Sequence, residues 1–504
     1  MPQATTAVAV PAPGDTADHD SNPQHARRWL ILVVIGLAQL MVVLDATIVN
    51  IALPSAQQSL GFTDDARQWV VTAYALAFGS LLLLGGRAAD LFGRKRALLV
   101  GLAGFAIASA VGGAANGIEM LLIARAAQGV FAALLAPAAL SLLTTTFTDP
   151  KERGKAFGVF GAIGGGGAAV GLLLGGVLTE YLDWRWCMFV NIVFAVIALA
   201  GSIVRLRHEP SVGERPKVDV PGAVTATAGL FALVYGFSNA TSHSWSSVLV
   251  WGFLTGGGAL LAAFVVLQTR AVHPLLPLRV LLDRNRGGSY LSMFLLAIGM
   301  FAIFLFLTFY VQQNLGFSPI ESGVGFLPMV ATLMISATMA TSVLLPKFGP
   351  KPLLPLGMLI AAAGMLWFSR IDTASTYASG VLFPLMVFGI GIGLSMAPAM
   401  SVATLGVDAH DSGVASATVN TAQQIGGSIG TALLSTLAAN AATSFMTGKV
   451  PTPRLAAEAA VHSYTTAFAW AAGIFAFGAI VCGLLLRPGV PQFDEEAATA
   501  AVHL

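Results

Sequence analysis

The segment GRAADLFGRKR, residues 86–96, lies between two apolar stretches, residues 68–86 and 97–116. Each flanking stretch is close to the roughly 20 residues that an α-helix needs to cross the hydrocarbon core of a bilayer. The three consecutive basic residues, Arg94 to Arg96, favour retention of the segment on the cytoplasmic side. The segment therefore predicts a short cytoplasmic loop that joins two membrane-spanning helices.

The composition extends this prediction to most of the chain. Of its 504 residues, 56% are hydrophobic and 10% are charged, whereas a soluble domain carries about 25% charged residues. A net charge of +2 without a basic stripe argues against a nucleic-acid partner. Cys187 and Cys482 lie in different apolar segments, so they predict neither a disulfide framework nor a metal cluster. We therefore expect lipid to surround most of the chain, and we expect no metal or cofactor.

Fourteen apolar stretches along the chain are each long enough to cross the hydrocarbon core. Their approximate limits are 29–51, 68–86, 97–116, 119–143, 156–178, 186–204, 221–240, 246–268, 288–311, 322–345, 353–370, 379–402, 413–440 and 465–487. Residues 1–28 lack the basic start and short apolar core of a signal peptide, and their polar composition predicts a disordered cytoplasmic tail. Residues 488–504 are predicted to form a second cytoplasmic tail.

Lysine and arginine are distributed unequally between the two sides that this count of helices defines. With the N-terminus in the cytoplasm, twenty of them fall on the cytoplasmic side, five fall outside and one, Arg125, lies within a span. The positive-inside rule requires such an asymmetry, and a missed or extra helix would destroy it. We expect a multi-pass protein of the bacterial cytoplasmic (inner) membrane with both termini in the cytoplasm.

Three short matches indicate that the chain repeats itself. The matching pairs are FGRKRALLVG at 92–101 with FGPKPLLPLG at 348–357, Ala-Pro-Ala at 136–138 with the same tripeptide at 397–399, and Gly167–Gly171 with Gly426–Gly430. Their offsets of 256, 261 and 259 residues relate each helix to the eighth helix after it, which has the same orientation. The repeat predicts two parallel six-helix halves, residues 29–205 and 288–487, with two inserted transmembrane helices and their flanking loops at 206–287.

Several motifs resemble those of the major facilitator superfamily, and the resemblance extends from about residue 29 to residue 487. The 86–96 loop is similar to the superfamily signature GxLaDrxGrkr, although Leu91 stands where a basic residue is usual. The matching residues are Gly86, Asp90, Gly93 and Arg94 in this loop, Asp45 within LDATIVNIALP in the first helix, Arg125, Gln128 and Gly129 in the fourth, and Trp184, Arg185 and Asn191 at the start of the sixth. In this combination the chain resembles the fourteen-helix drug:proton antiporters of the EmrB/QacA type.

The resemblance implies the major facilitator fold and a function. The protein is expected to be a proton-coupled secondary active exporter of small hydrophobic drugs or toxic metabolites, working by alternating access. It also implies a role in proton coupling for Arg125, and a cytoplasmic latch between the halves formed by Asp90 and its basic neighbours. By the repeat, the expected partner of Asp90 lies near Ser412 and Gly413.

The fifth helix matches the antiporter motif of the family with one departure. Gly158, Gly167, Gly171, Gly175 and Gly176 occupy the positions of G-x8-G-x3-G-P-x2-G-G, but Leu172 stands where proline is usual. In the family this motif is associated with export rather than import. Small residues four apart let another helix approach closely, and we expect that helix to belong to the other half.

Two ionisable residues lie within predicted spans and are candidates for coupling. Asp45 is the only carboxylate well inside a span, and Arg125 is the only basic residue there. Because a charge in hydrocarbon is costly, Asp45 must be paired, hydrated or protonated, which makes it a candidate proton carrier. Arginine keeps its proton, so Arg125 would act as a fixed positive charge. The alternatives are a permanent ion pair for Asp45 and a structural tether between helices for Arg125.

Other functions remain open at this point. The chain could transport an endogenous metabolite, or it could be an integral membrane enzyme, although it lacks a cluster of catalytic or metal-ligating residues. The glycines at 164–167 lie within a span and lack the Lys-Ser/Thr of a phosphate loop, so we expect no nucleotide as partner. The expected partners are a small hydrophobic substrate, protons and the lipid bilayer, and the chain is expected to act as a monomer.

Overall fold

The computed structural model describes residues 23–147, 150–206, 219–239, 247–271, 274–405, 407, 412–450 and 452–489. These residues form helices and short connections, and no strand occurs among them. Most of the two predicted tails, residues 1–22 and 490–504, lies outside the described residues.

Fourteen long helices follow one another along the described residues. They are α1 (Pro23–Leu60), α2 (Asp64–Phe92), α3 (Arg94–Gly113), α4 (Ile118–Thr146), α5 (Pro150–Tyr181), α6 (Trp186–Arg205), α7 (Val220–Asn239), α8 (Val248–Arg270), α9 (Arg284–Asn314), α10 (Pro319–Phe348), α11 (Pro350–Phe368), α12 (Tyr377–Thr404), α13 (Ser412–Met446) and α14 (Pro453–Leu485). A short helix, Leu278–Leu282, precedes α9.

The order of these helices confirms the predicted all-α membrane fold. Among the described residues, thirteen helices are long and apolar enough to cross a bilayer. The remaining predicted span falls in α5, whose fully described apolar part is the shorter segment Gly166–Tyr181. Large apolar side chains such as Ile107, Ile123 and Val193 are exposed on the surface of the bundle, as lipid-facing positions require.

The helices differ from the predicted spans mainly at their ends. α1 begins at Pro23, so residues 23–28, which we predicted to be part of the disordered tail, are helical. α13 continues to Met446 and α14 begins at Pro453. The connection between them is therefore much shorter than the predicted one, residues 441–464. At about 1.5 Å per residue, each of these helices exceeds the ~30 Å hydrocarbon core. Hydropathy locates the part of a helix inside lipid, whereas alanine-rich sequence continues the helix in water.

Helices α1–α6 pack against one another, and so do α9–α14. The inserted helices α7 and α8 pack together, and α7 also contacts α2 and α13. The division at residues 205 and 288 stays a prediction, although these contacts agree with it.

The two six-helix groups meet at one end of the bundle. The connections after α1, α3 and α5 lie at this end, which the sequence predicts to be extracytoplasmic; we call it the predicted outer end. Here Gln312 Nε2 donates to the Ile51 carbonyl oxygen at 3.1 Å, and the Arg67 guanidinium lies 4.2 Å from the centre of the Phe309 ring. A single buried cluster joins residues of both groups near this end, for example Ile48 and Leu305. The structure is therefore closed at the predicted outer end.

Candidate functional site

A buried ion pair lies between α1 and α4. Asp45 on α1 is 0% exposed and Arg125 on α4 is 1% exposed. Arg125 Nη1 donates to Asp45 Oδ2 at 2.6 Å. The structure thus brings together the two embedded charges that the sequence singled out.

The guanidinium of Arg125 has further partners that fix its plane. Its Nε donates to the Val70 carbonyl oxygen of α2 at 3.1 Å, and Nη1 donates to Gln128 Oε1 at 2.8 Å. Its carbon lies 4.5 Å from the centre of the Tyr74 ring, where the π-face attracts a cation. The positive charge is therefore held by α2 and α4 independently of Asp45.

The second carboxylate oxygen of Asp45 accepts two amide hydrogen bonds. Gln128 Nε2 donates to Asp45 Oδ1 at 3.0 Å, and Asn191 Nδ2 of α6 donates to the same oxygen at 2.7 Å. Gln128 Nε2 also donates to Ser109 Oγ of α3 at 2.8 Å. A guanidinium therefore binds one carboxylate oxygen and two amides bind the other, so both oxygens of Asp45 have charged or polar partners.

The close packing of α4 against α2 explains why the motif of the fourth helix has a glycine, Gly129, directly after Gln128. A Cβ at this position would collide with the carbonyl oxygen of Tyr74 in α2. The glycine therefore permits the close approach of α2 and α4, which brings the Val70 carbonyl oxygen and the Tyr74 ring to Arg125.

The glycine ridge of α5 has a different neighbour from the one that the sequence led us to expect. Gly167, Gly171 and Gly175 pack against α1, where ideal Cβ atoms would meet side chains or backbone between Leu40 and Ile48. Our expectation that these glycines contact the other half was therefore wrong. The ridge lies against the stretch of α1 that carries Asp45.

Only part of the fifth-helix motif reaches across to the second group of helices. A Cβ at Gly176 would lie 2.6 Å from Ile320 Cα of α10, and a Cβ at Gly323 would lie 2.5 Å from the carbonyl oxygen of Leu172. Glu180 adds a hydrogen bond, because its Oε2 accepts from the Ile320 N–H at 3.0 Å. Gly158 lies outside the residues whose packing is described.

The 86–96 loop joins α2 to α3 through Gly93. Its φ of +94° lies in the region that favours glycine, which accounts for this residue of the motif. A Cβ added at Gly86 would lie 3.5 Å from Pro137 Cβ of α4, and Arg94 begins α3. The side chains of Asp90 and Ser412 and the packing of Gly413 lie outside what the structure describes, so the latch stays a prediction.

The sixth-helix motif divides between two places. Arg185 Nη2 donates to the Ala115 carbonyl oxygen at 3.0 Å, and its guanidinium lies 4.7 Å from the centre of the Trp184 ring. These two residues therefore connect α3 and α6 at the predicted outer end. Asn191 alone reaches Asp45. Sequence reasoning missed Ser109 and Tyr74, whose only signal was a polar atom within an apolar span.

The described residues contain no group of three or more histidine, cysteine or acidic side chains that could hold a metal ion. The site is instead a carboxylate with a fixed counter-charge, within helices that span the membrane. Such a site can exchange one proton and couple that exchange to helix movement.

Residues 35–431 match the family model of the Major Facilitator Superfamily. This chain belongs to the Major Facilitator Superfamily. It is therefore a multi-pass membrane transporter of small molecules, and the alternative of a membrane enzyme no longer stands.

Characterised relatives of this transporter are similar over most of their length. It is 48% identical to the puromycin resistance protein pur8 of Streptomyces alboniger over 476 residues, which are 94% of each chain. It is 37% identical to the cephamycin export protein CmcT of Amycolatopsis lactamdurans, again over 94% of each chain. The tetracenomycin C resistance and export protein of Streptomyces glaucescens is 32% identical over 85% of this chain and 79% of its own.

Solved structures agree with the fold of this transporter. An auto-inhibited POT family peptide transporter superposes with a TM-score of 0.67, covers 93% of this chain and 98% of its own, and is 18% identical. A D-xylose–proton symporter superposes with a TM-score of 0.62 over 91% of this chain and 98% of its own, at 16% identity. At this level of identity the likeness concerns the fold alone.

Proposed function

We propose that this transporter exports antibiotic-like small hydrophobic molecules from a bacterial cell in exchange for protons. The similarity to proteins named for resistance to or export of puromycin, cephamycin and tetracenomycin C supports an exporter of this class. Puromycin is the first substrate to test, because 48% identity over 94% of both chains is high enough for a shared substrate class.

The buried ion pair is the observation that carries proton coupling. Ionised Asp45 is compensated by Arg125 at 2.6 Å, whereas protonated Asp45 would leave the guanidinium without an anionic partner in a buried site. Protonation and the intact ion pair therefore exclude each other. A proton can then change the relative stability of two arrangements of α1 and α4, which is the requirement for coupling.

The proposed cycle assigns a role to each charge. Asp45 takes up a proton when the site opens to the outside, and neutralisation permits return to the state open to the cytoplasm. There, the field of Arg125 and the binding of substrate favour proton release. Each proton that enters yields about 2.3 kcal/mol per 100 mV of membrane potential. If one net charge moves, this sustains a roughly 50-fold substrate gradient.

The movement that we propose is rocking of residues 29–205 against residues 288–487. The close contacts at the predicted outer end, such as Gln312 with Ile51, would break when that end opens. Residues 206–287 supply the two inserted helices, and Asp90 with Arg94 would latch the cytoplasmic end in the opposite half of the cycle.

We further propose that the transporter works as a monomer in the bacterial cytoplasmic membrane, driven by protons and without a nucleotide, with both termini in the cytoplasm. The distribution of twenty basic residues against five supports this orientation. A cysteine at Lys449, an exposed position in the predicted outer connection between α13 and α14, should react with an impermeant thiol reagent added to intact cells. The native cysteines are buried, so they should not contribute to the labelling. Reaction only after permeabilisation would contradict the orientation.

The decisive experiment measures drug-induced proton release in proteoliposomes. Asp45→Asn should abolish proton-driven puromycin transport while puromycin binding persists. Glu119→Gln, which removes an exposed carboxylate from the first turn of α4, is the matched control and should couple normally. If Asp45→Asn still couples protons to drug at the wild-type ratio, the proton carrier lies elsewhere.

A further inference from the structure

Asn191 of α6 uses only half of its hydrogen-bonding capacity. Its Nδ2 donates to Asp45 Oδ1 at 2.7 Å, whereas its own Oδ1 is buried without a hydrogen-bond partner. A buried acceptor without a partner is destabilising. The structure around ionised Asp45 thus leaves one strong acceptor unused directly beside the carboxylate.

Gln128, the other amide in the site, has no such freedom. Its Oε1 accepts from Arg125 at 2.8 Å, and its Nε2 donates both to Ser109 at 2.8 Å and to Asp45 at 3.0 Å. Inverting this amide would break all three hydrogen bonds. Inverting the amide of Asn191 would break only its bond to Asp45.

We propose that Asn191 is a positioning residue that holds Asp45 in both protonation states by inverting its side-chain amide. This inference rests on the proposed role of Asp45 as proton carrier. When Asp45 is ionised, the Asn191 N–H donates to Oδ1, as the structure shows. When a hydronium ion transfers its proton to Asp45 Oδ1 and leaves as water, the amide turns by half a revolution about its Cβ–Cγ bond. Asn191 Oδ1 then accepts from this hydroxyl, and no covalent bond of Asn191 changes.

The inversion changes which helices α1 is attached to. In the ionised state Asp45 connects α1 to α4 through Arg125 and Gln128, and to α6 through Asn191. In the protonated state the attraction to Arg125 is lost, while the connection to α6 persists through the inverted amide. Protonation therefore weakens the attachment of α1 to α4, which keeps only the Gln128 hydrogen bond, while the attachment to α6 persists.

The titratable groups near Asp45 come from three other helices. They are Arg125 of α4, Tyr74 of α2 and Cys187 of α6, which lies one turn from Asn191; each interacts electrostatically with Asp45. Tyr74 meets Arg125 through its ring face, and Cys187 Sγ pairs with Thr179 at 3.3 Å. Among these groups, Arg125 alone is bonded to the carboxylate.

Infrared difference spectroscopy of the full-length protein in liposomes tests the inversion directly. Spectra recorded between high and low pH on protein with isotope-labelled asparagine should show one amide carbonyl band moving to lower frequency on protonation, because this carbonyl gains a hydrogen bond. The band should be absent in Asn191→Ser. In the control variant Glu119→Gln it should shift with pH as it does in the wild type. Absence of any shifting asparagine band in the wild type would overturn the proposal.

Transport by two variants supplies the second test. Asn191→Leu keeps the shape but can neither donate nor accept, so coupled transport should fall about tenfold or more. Asn191→Gln keeps an amide that can invert, so it should retain more coupled transport than Asn191→Leu and a wild-type pH profile. Wild-type coupling in Asn191→Leu, together with loss of coupling in Asp45→Asn, would refute the role of Asn191 and leave Asp45 as the proposed carrier. Normal coupling in Asp45→Asn would refute the proposed carrier itself.

Discussion

Arg125 is held by geometry as well as by charge. Its guanidinium reaches Asp45, Gln128 and the Val70 carbonyl oxygen at the same time, and its face covers the Tyr74 ring. An ammonium group has no planar fork with which to reproduce these directions. The hydrogen-bond geometry therefore requires an arginine at position 125, and a positive charge alone does not satisfy it.

Arg125→Lys should consequently impair transport even though the charge is kept. The loss of a hydrogen bond that involves a charged group corresponds to about tenfold or more in rate. The measurement is the initial rate of puromycin-induced proton release. Arg454→Lys, at a side chain that is 90% exposed, is the matched control. Equal rates for both variants would show that only the charge at position 125 matters.

The sequence predicted the pair Asp45 and Arg125 because each is the sole ionisable residue of its sign within the spans. It also named Asn191 as a motif residue, but it could not predict that Asn191 binds Asp45 or that Ser109 binds Gln128. Their contribution depends on how α3 and α6 are rotated about their axes, and tertiary packing sets this rotation. Hydropathy carries little of that information, since α3 is apolar on most of its surface.

At the scale of helices, Gly129 controls how closely α2 can lie against α4. Gly129→Ala should force the helices apart, because the new methyl group would meet the Tyr74 backbone. Overpacking of this kind costs about 1–3 kcal/mol, so the temperature of unfolding in detergent should fall and coupling should weaken. Gly252→Ala, at a helical glycine of α8 with open space around it, should not lower that temperature. Equal unfolding temperatures for both variants would contradict this account.

The ridge of α5 shows where the reasoning from motifs failed. The spacing of the glycines four residues apart correctly predicted a close contact with another helix, but it does not identify which helix makes that contact. The structure gives Gly167, Gly171 and Gly175 to α1. Leu172, in place of the usual proline, contributes its carbonyl oxygen to the contact with Gly323, and a leucine preserves the helical hydrogen bond that proline would remove.

For the whole molecule, we expect the contact between α5 and α10 to limit how tightly the predicted outer end closes. Gly176→Ala would place a methyl group 2.6 Å from Ile320 Cα, which should shift the population toward the state open at this end. Spin labels at the exposed positions Gln58 and Thr373 should then report longer distances. Gly473→Ala, which meets no neighbour, should leave the distances unchanged. An unaltered distance distribution in Gly176→Ala would show that this contact does not control closure.

The number and order of the helices could be predicted because each span must satisfy its backbone inside lipid, which imposes a minimum apolar length. The closed state could not be predicted, since the same sequence must support at least two arrangements of its halves. The ends of α13 and α14 also escaped prediction, because the bilayer no longer constrains a helix that has left it.

The position of α7 has a consequence for the electrical insulation of the membrane. α7 packs on both α2 and α13, and Thr227 Oγ1 donates to the Ser80 carbonyl oxygen of α2 at 3.1 Å. Along the seam between α2 and α13, Gln424 lies against Gly79 and keeps a buried oxygen without a partner. Lipid tails cannot hydrogen-bond to such groups, so an uncovered seam would draw water into the bilayer and leak ions. α7 covers one side of this seam with protein, which shields the polar groups of α13 from lipid on that side and would preserve the proton gradient on which the proposed export depends.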